Sequence, residues 1–97
     1  MAVVGFFLVS VEMGKEHDVQ RSLLAIGEIS ERYALHYLSE PEMGRQYDFL
    51  IVVRGEDSST LERFIEEKIK KIDGVRDTKA LIGMTFTPSD KKIHSSE

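Results

Sequence analysis

The sequence predicts a single α+β domain in the order β-α-β-β-α-β, with a four-stranded antiparallel sheet and two helices on one face. Four apolar or alternating runs have the spacing of strands, and two segments carry apolar residues at helical spacing. A chain of 97 residues has room for one modest core. Right-handed crossovers between two βαβ-like halves then give the strand order 4-1-3-2, which is the ferredoxin-like arrangement.

The first half of the chain carries two strands and one helix. Val3–Val11 is almost entirely apolar, which is typical of a buried strand. Lys15–Ile26 places apolar residues at i, i+4 and i+7, as an amphipathic helix does, and Gly27 fits its C-terminal cap. Arg32–Ser39 alternates between the two sheet faces and predicts the second strand. Glu40–Gln46 contains a proline and a glycine, which indicates a connection.

The second half repeats this order. Tyr47–Val53 is the strongest strand pattern in the chain. Ser58–Ile72 carries one apolar stripe, and Ser59 followed by Glu62 matches a capping box at its start. Val75–Phe86 predicts the last strand. We therefore expect residues 1–86 to form one domain and residues 87–97 to form a polar C-terminal tail.

Composition excludes several classes of function. The formal net charge of −4 argues against direct binding of nucleic acid or of an anionic membrane surface. The absence of cysteine excludes disulfide scaffolds, thiolate catalysis and cysteine-based metal sites. No apolar run approaches the roughly 18 residues that span a bilayer, and no signal peptide is recognisable, so we expect a cytoplasmic protein.

The first and third predicted strands are apolar on both faces, although two helices cover only one face. In the first strand, Val4, Phe6 and Leu8 point to the face opposite that of Val3, Phe7, Val9 and Val11. In the third strand, Leu50 and Val52 oppose Tyr47, Phe49, Ile51 and Val53. A large bare apolar face is unusual on a monomer. We therefore expect this face to pack on a second copy by twofold symmetry, as in a dimeric α+β barrel. The alternative is that the pattern only reflects the strand propensity of central strands.

Candidate catalytic side chains are scattered along the chain. The three histidines (His17, His36 and His94) match neither a helical metal-binding pair nor a compact ligand cluster. Ser58–Thr60 has no nucleophile elbow around it and is better explained by helix capping. We therefore expect no catalytic residue, no metal and no cofactor.

The turn that leads into Tyr47–Val53 is the best candidate for a binding site. Asp48 starts an otherwise apolar strand, so its carboxylate must be hydrogen-bonded or lie at an edge. Gly44 permits a close backbone approach or a positive φ. Backbone N–H groups there would bind a carboxylate, and Asp48 would bind an ammonium. The alternative is that Asp48 only caps the turn.

Three segments together carry a resemblance to a known family. They are Val11–Glu16 at the end of the first strand, Gly44–Val53 with its Gly-x-x-Tyr-Asp-Phe-Leu pattern, and Ile72–Thr78 leading into the last strand. Over residues 3–86 the chain resembles the effector-binding (RAM) domain of the Lrp/AsnC feast/famine regulators. The resemblance implies dimers that pack by their sheet faces and often join into octameric rings. It also implies that an amino acid or related metabolite binds between dimers.

Carried over by position, the resemblance implies an effector site lined by Gly44, Tyr47, Asp48, Thr78 and Ala80. Three departures alter this site. Two residues stand between the glycine and the Tyr-Asp pair, where the family usually has one. Alanine stands where a second threonine is common in the last strand, and the connection over residues 38–43 is longer than usual.

The first hypothesis is a non-enzymatic, oligomeric domain that senses an amino acid or related metabolite. Because the first strand begins at Val3, we expect a stand-alone form without a helix-turn-helix domain. Its partners would be further copies of itself and full-length Lrp/AsnC regulators. One alternative is a small dimeric α+β-barrel enzyme, which requires His36 or Tyr37 to face an enclosed pocket. Another is an accessory or chaperone domain that binds peptides at a sheet edge.

Overall fold

The secondary structure of the computed structural model, which describes residues 2–39 and 46–86, follows the predicted order. The elements are β1 (Val3–Val11), α1 (Glu16–Leu24), β2 (Ile29–Ala34), β3 (Phe49–Gly55), α2 (Ser58–Phe64), a π-helical turn (Ile65–Ile69) and β4 (Val75–Gly83). All strand pairs are antiparallel, and the sheet order is β2-β3-β1-β4. The ferredoxin-like α+β fold and the strand order 4-1-3-2 are thus confirmed. The predicted tail and most of the predicted connection lie outside the described residues.

The strand boundaries differ from the predicted ones. β2 begins at Ile29 rather than at residue 32, because Ile29 is only 4% exposed and pairs with Val53. It ends at Ala34, although the N–H of Leu35 still donates to the carbonyl of Asp48 at 2.9 Å. β3 begins and ends two residues later than predicted, and β4 stops at residue 83 instead of residue 86.

The C-terminus of α1 is held by a side chain from β2. The helix ends at Leu24, so the predicted cap at Gly27 is wrong. The Arg32 guanidinium donates to the carbonyls of Leu23 at 2.9 Å and Ile26 at 2.7 Å. Each of these carbonyls also accepts a backbone N–H at 3.3 Å, from Ile26 and Ile29 respectively, so the guanidinium adds a second, charge-assisted bond to each. The guanidinium bonds also place a cation where the helix dipole is negative.

The start of α2 is capped one residue before the helix, so the predicted capping box of Ser59 and Glu62 is wrong. Asp57 is the N-cap residue, and its Oδ1 accepts the N–H and the hydroxyl of Thr60, each at 2.9 Å. Both bonds favour the ionised carboxylate. They lower the pKa of Asp57 below its ordinary value.

The core lies between the helices and one face of the sheet. Phe7 from β1 stacks on Phe64 from α2 with ring centroids 6.0 Å apart. The π-helical turn keeps the apolar stripe on the sheet because it adds one residue to the turn: the N–H of Lys70 donates to the carbonyl of Ile65 at 2.9 Å. The other core residues are Val9, Val11, Val19, Leu23, Ile29, Phe49, Ile51, Val53, Leu61, Ile65 and Ile69.

The turn before β4 fits tightly against the start of α1. Gly74 has φ +100°, and a Cβ built on it would lie 2.8 Å from the Cβ of Lys15. Its carbonyl accepts the N–H of Glu12 at 2.8 Å. Lys15 Nζ pairs with Asp73 Oδ2 at 2.8 Å, which lowers the pKa of Asp73 and raises that of Lys15.

Replacing Gly74 with alanine should therefore destabilise the fold by about 2–4 kcal/mol, because positive φ and the close approach act together. Gly14→Ala is the matched control, since Gly14 has φ +90° but open space around its Cβ position. It should cost only the backbone strain, about 1–2 kcal/mol. Urea unfolding measures both. Equal losses at the two positions would show that the contact with Lys15 contributes nothing.

Replacing Asp57 with alanine should lower the Tm near neutral pH by removing the cap of α2. Because the folded-state pKa is depressed, the carboxylate stabilises the fold above its ordinary pKa of 3.8. This contribution is lost as pH falls through the folded-state pKa. The Tm difference between wild type and variant should therefore shrink on acidification. Ser59→Ala should leave the Tm unchanged, and an equal loss there would contradict the assignment of the cap.

Candidate functional site

The face of the sheet opposite the helices carries exposed apolar side chains in its centre. The strand register places Phe6 between Leu81 of β4 and Val52 of β3 in one row. Phe6 is 37% exposed and Leu81 is 50% exposed, whereas Val52 is buried by its neighbours. Leu8 and Leu50 form the next row. The sequence pattern predicted that one apolar face of the sheet lacks a cover, and this is that face.

Asp48 lies beside the end of β1, where β3 has not yet begun. Its N–H donates to the carbonyl of Val9 at 2.7 Å, and its Oδ2 accepts the N–H of Val11 at 2.8 Å. The side chain thus replaces a backbone acceptor that a longer β3 would have supplied. This geometry is compatible with both interpretations of Asp48, as a group that binds a ligand and as a cap of the turn. The carboxylate is hydrogen-bonded to the backbone, and its other oxygen has further acceptor capacity.

Tyr47 and Tyr37 bracket the connection that lies outside the described residues. The N–H of Tyr47 donates to the Tyr37 hydroxyl at 2.7 Å. Together with the bond from Leu35 to Asp48, this contact continues the pairing of the two chain segments beyond β2 and β3. Tyr37 is 45% exposed. The remaining residue of the predicted effector site, Gly44, lies outside the described part of the chain.

The two halves of the predicted effector site lie on opposite sides of β1. Thr78 pairs with Val9 on the β4 side, whereas Asp48 bonds to Val9 on the β3 side. Two strand spacings amount to about 10 Å. Ala80 pairs with Phe7 and so shares the helix-facing side of β4 with Thr78. The structure therefore groups Tyr47 with Asp48, and Thr78 with Ala80, but does not bring these two pairs together in one subunit.

A polar cleft of about 370 Å³ opens next to Thr78, where the π-helical turn meets the start of β4. Its walls include Lys70, Arg76 and Asp77. Two other clefts, of about 140 Å³ and 190 Å³, lie along α1 and α2. Sequence reasoning did not select Lys70 or Arg76. The sequence feature that could have indicated the cleft is the charged pair Arg76-Asp77, which directly precedes Thr78.

Of the three histidines, His17 and His36 are exposed, and His94 lies outside the described residues. Within residues 2–39 and 46–86, no group of three or more histidine, aspartate or glutamate side chains is arranged to hold a metal ion. None of the helices in the same residues is long and apolar enough to cross a membrane.

Comparison with known families decides the assignment. The model of the Lrp/AsnC ligand-binding domain matches residues 4–90, which is most of the chain. The chain belongs to the Lrp/AsnC ligand-binding domain family. The match spans the open apolar face, Asp48 and the Thr78 cleft, so these features belong to an Lrp/AsnC domain. No curated protein sequence matches this Lrp/AsnC domain.

Solved structures agree with the assignment. FFRP-DM1 is 30% identical and has a TM-score of 0.69, and the match covers 84% of this domain and 99% of that chain. A hypothetical protein from Pyrococcus horikoshii is also 30% identical, with a TM-score of 0.68 and coverage of 87% and 92%. A Neisseria meningitidis transcriptional regulator in complex with L-Met is 20% identical, with a TM-score of 0.68. That match covers 86% of this domain but 50% of the regulator, and it shows likeness of fold.

Proposed function

We propose that this Lrp/AsnC domain is a non-enzymatic effector-binding module that works as an oligomer. Two copies pack by their open apolar faces, and an amino acid or related small metabolite binds where subunits meet. The observation that carries this proposal is the separation of Asp48 from Thr78 by the width of β1. In a site formed by more than one subunit, Asp48 of one subunit and Thr78 of another can each contact the ligand.

Membership of a ligand-binding family supports the effector role. The related Neisseria regulator was solved with L-Met, so an amino acid is the first class of ligand to test here. In this domain, the remaining acceptor positions of the Asp48 carboxylate suit an ammonium group. The module would act in the cytoplasm, either alone or in mixed assemblies with full-length Lrp/AsnC regulators, whose subunits have the same fold.

The open face supports self-association. Phe6 and Leu81 are large apolar side chains that face each other across strands and remain 37% and 50% exposed. Exposed apolar surface of this kind on a soluble domain marks an interaction site. An enzyme on this fold would need a positioned acid or base in an enclosed pocket. The exposed His36 does not provide one.

Leu81→Glu should convert the oligomer into an 11.1 kDa monomer at micromolar concentration, because a charge would have to be buried in the apolar interface. Size-exclusion chromatography with light scattering measures the mass. Leu24→Glu is the matched control, since Leu24 is 63% exposed on α1, away from the open face. It should leave the mass unchanged. A monomeric wild-type protein would contradict the assembly.

The effector role predicts that one of the twenty amino acids raises the Tm of the wild-type protein, because a ligand that binds only the folded state stabilises it. Asp48→Asn should weaken binding of that amino acid by about tenfold, since it removes a charge-assisted hydrogen bond to the ammonium. This variant keeps an oxygen that can accept the N–H of Val11, so its own Tm should stay near that of wild type. Asp48→Ala, which loses that acceptor, should melt lower.

Thermal-shift screening followed by calorimetric titration provides the measurement. A stabilising amino acid that binds Asp48→Asn as tightly as wild type would show that Asp48 has a structural role only. Failure of all twenty amino acids to stabilise the wild-type oligomer would overturn the effector role as stated.

A further inference from the structure

Two backbone irregularities flank the polar cleft beside Thr78. The register between β1 and β4 shifts at Ser10 and Val11, so that Asp77 pairs with Ser10 and Val75 pairs with Val11. Arg76 is therefore the extra residue of a β-bulge. Bulges redirect side chains and are common next to functional sites. This bulge lies at the cleft, and Arg76 lines it.

The second irregularity is the π-helical turn, which ends immediately before Lys70. Single π turns inside helices are also frequent at functional sites. The N–H of Lys70 closes this turn on Ile65, and Lys70 lines the same cleft as Arg76. Each irregularity thus supplies one cation to the same cavity of about 370 Å³.

The lining of the cleft carries two cations, Lys70 and Arg76, and one carboxylate, Asp77. Among residues 2–39 and 46–86, no hydrogen bond or ion pair engages the Arg76 guanidinium. Lys70 Nζ pairs with Glu66 Oε2 at 2.7 Å, both side chains are about half exposed, and the ammonium has two further donors. Asp77 opposes an anion, yet its Oδ1 already accepts the N–H of Thr78 at 3.0 Å.

We infer that this cleft binds a second carboxylate of the effector, so that the domain selects an amino acid with an acidic side chain over its neutral analogue. The inference rests on the proposed effector function and names the class of effector. Thr78 connects the two sites, because it lines the cleft and belongs to the predicted effector site. Arg76 binds the carboxylate in a bidentate manner, and Lys70 adds a point charge.

The test compares isosteric ligands, L-glutamate with L-glutamine and L-aspartate with L-asparagine, by calorimetric titration of the full chain. An acid should bind about tenfold more tightly than its amide, since charge-assisted hydrogen bonds are the stronger ones. Arg76→Gln and Lys70→Gln should each abolish most of that preference and leave amide binding within about twofold. Asp77→Asn keeps an acceptor for Thr78 while removing the opposing charge, so it should strengthen binding of the acid.

Lys71→Gln is the matched control. Lys71 directly follows Lys70 and is exposed, but it does not line the cleft. The same change of charge there should leave the preference intact. A similar Tm for all variants without ligand excludes a general loss of structure.

The outcomes separate the two proposals. If an amide or another neutral amino acid binds as tightly as the acids, and the cleft variants do not alter binding, then the inference is wrong while the effector function stands. If Arg76→Gln weakens acid and amide equally, the side chain recognises the common α-carboxylate and the inference is also wrong. If no amino acid binds the wild-type oligomer, both proposals are overturned.

Discussion

The stacking of Phe7 on Phe64 fixes which face of the sheet becomes the core. β1 is central and apolar on both sides, so its sequence alone permits either face to be buried. Because Phe7 packs under α2, alternation places Phe6 and Leu8 on the opposite face of the sheet. Residues of β3 and β4 that pair with these two lie on that face as well. A slip of one residue would exchange the two faces throughout. The core and the open face both follow from this one packing choice.

β1 also organises the candidate site. It contributes no side chain to the predicted effector contacts, yet its backbone bonds Asp48 on one side and pairs with Thr78 on the other. Three irregular features of the structure lie near the C-terminal end of this strand. The side-chain bond to Val11, the bulge at Arg76 and the tight turn at Gly74 all occur within a few residues. Regular pairing would have closed this end of the sheet, whereas the observed irregularities leave polar groups and a cleft there.

The sequence predicted those parts of the fold that depend on periodicity. The strand order, the two helices and the apolar open face follow from alternation and helical spacing, which are local properties of the chain. The errors arose where a tertiary contact decided the outcome. Gly27 suggested a cap for α1, but Arg32 from the next strand donates to the carbonyls at the helix end. Resemblance to a family proposed Thr78 as a site residue. The other cleft residues Lys70 and Arg76 were not selected, because a π turn and a bulge leave no periodic pattern in a sequence.

The bond between Asp48 and Val11 has a thermodynamic consequence for any ligand that uses this carboxylate. An ammonium that drew Asp48 away would release the N–H of Val11, and the exchange would subtract the free energy of that bond from the observed affinity. Reciprocity then requires that a contact which stabilises the bonded end of β1 changes the affinity for such a ligand by the same factor by which the ligand changes the stability of that contact. The chain after β1 runs through Glu12, which is bonded to Gly74, into the Lys15 ion pair with Asp73. The last strand would thereby be coupled to the carboxylate through the backbone of the first.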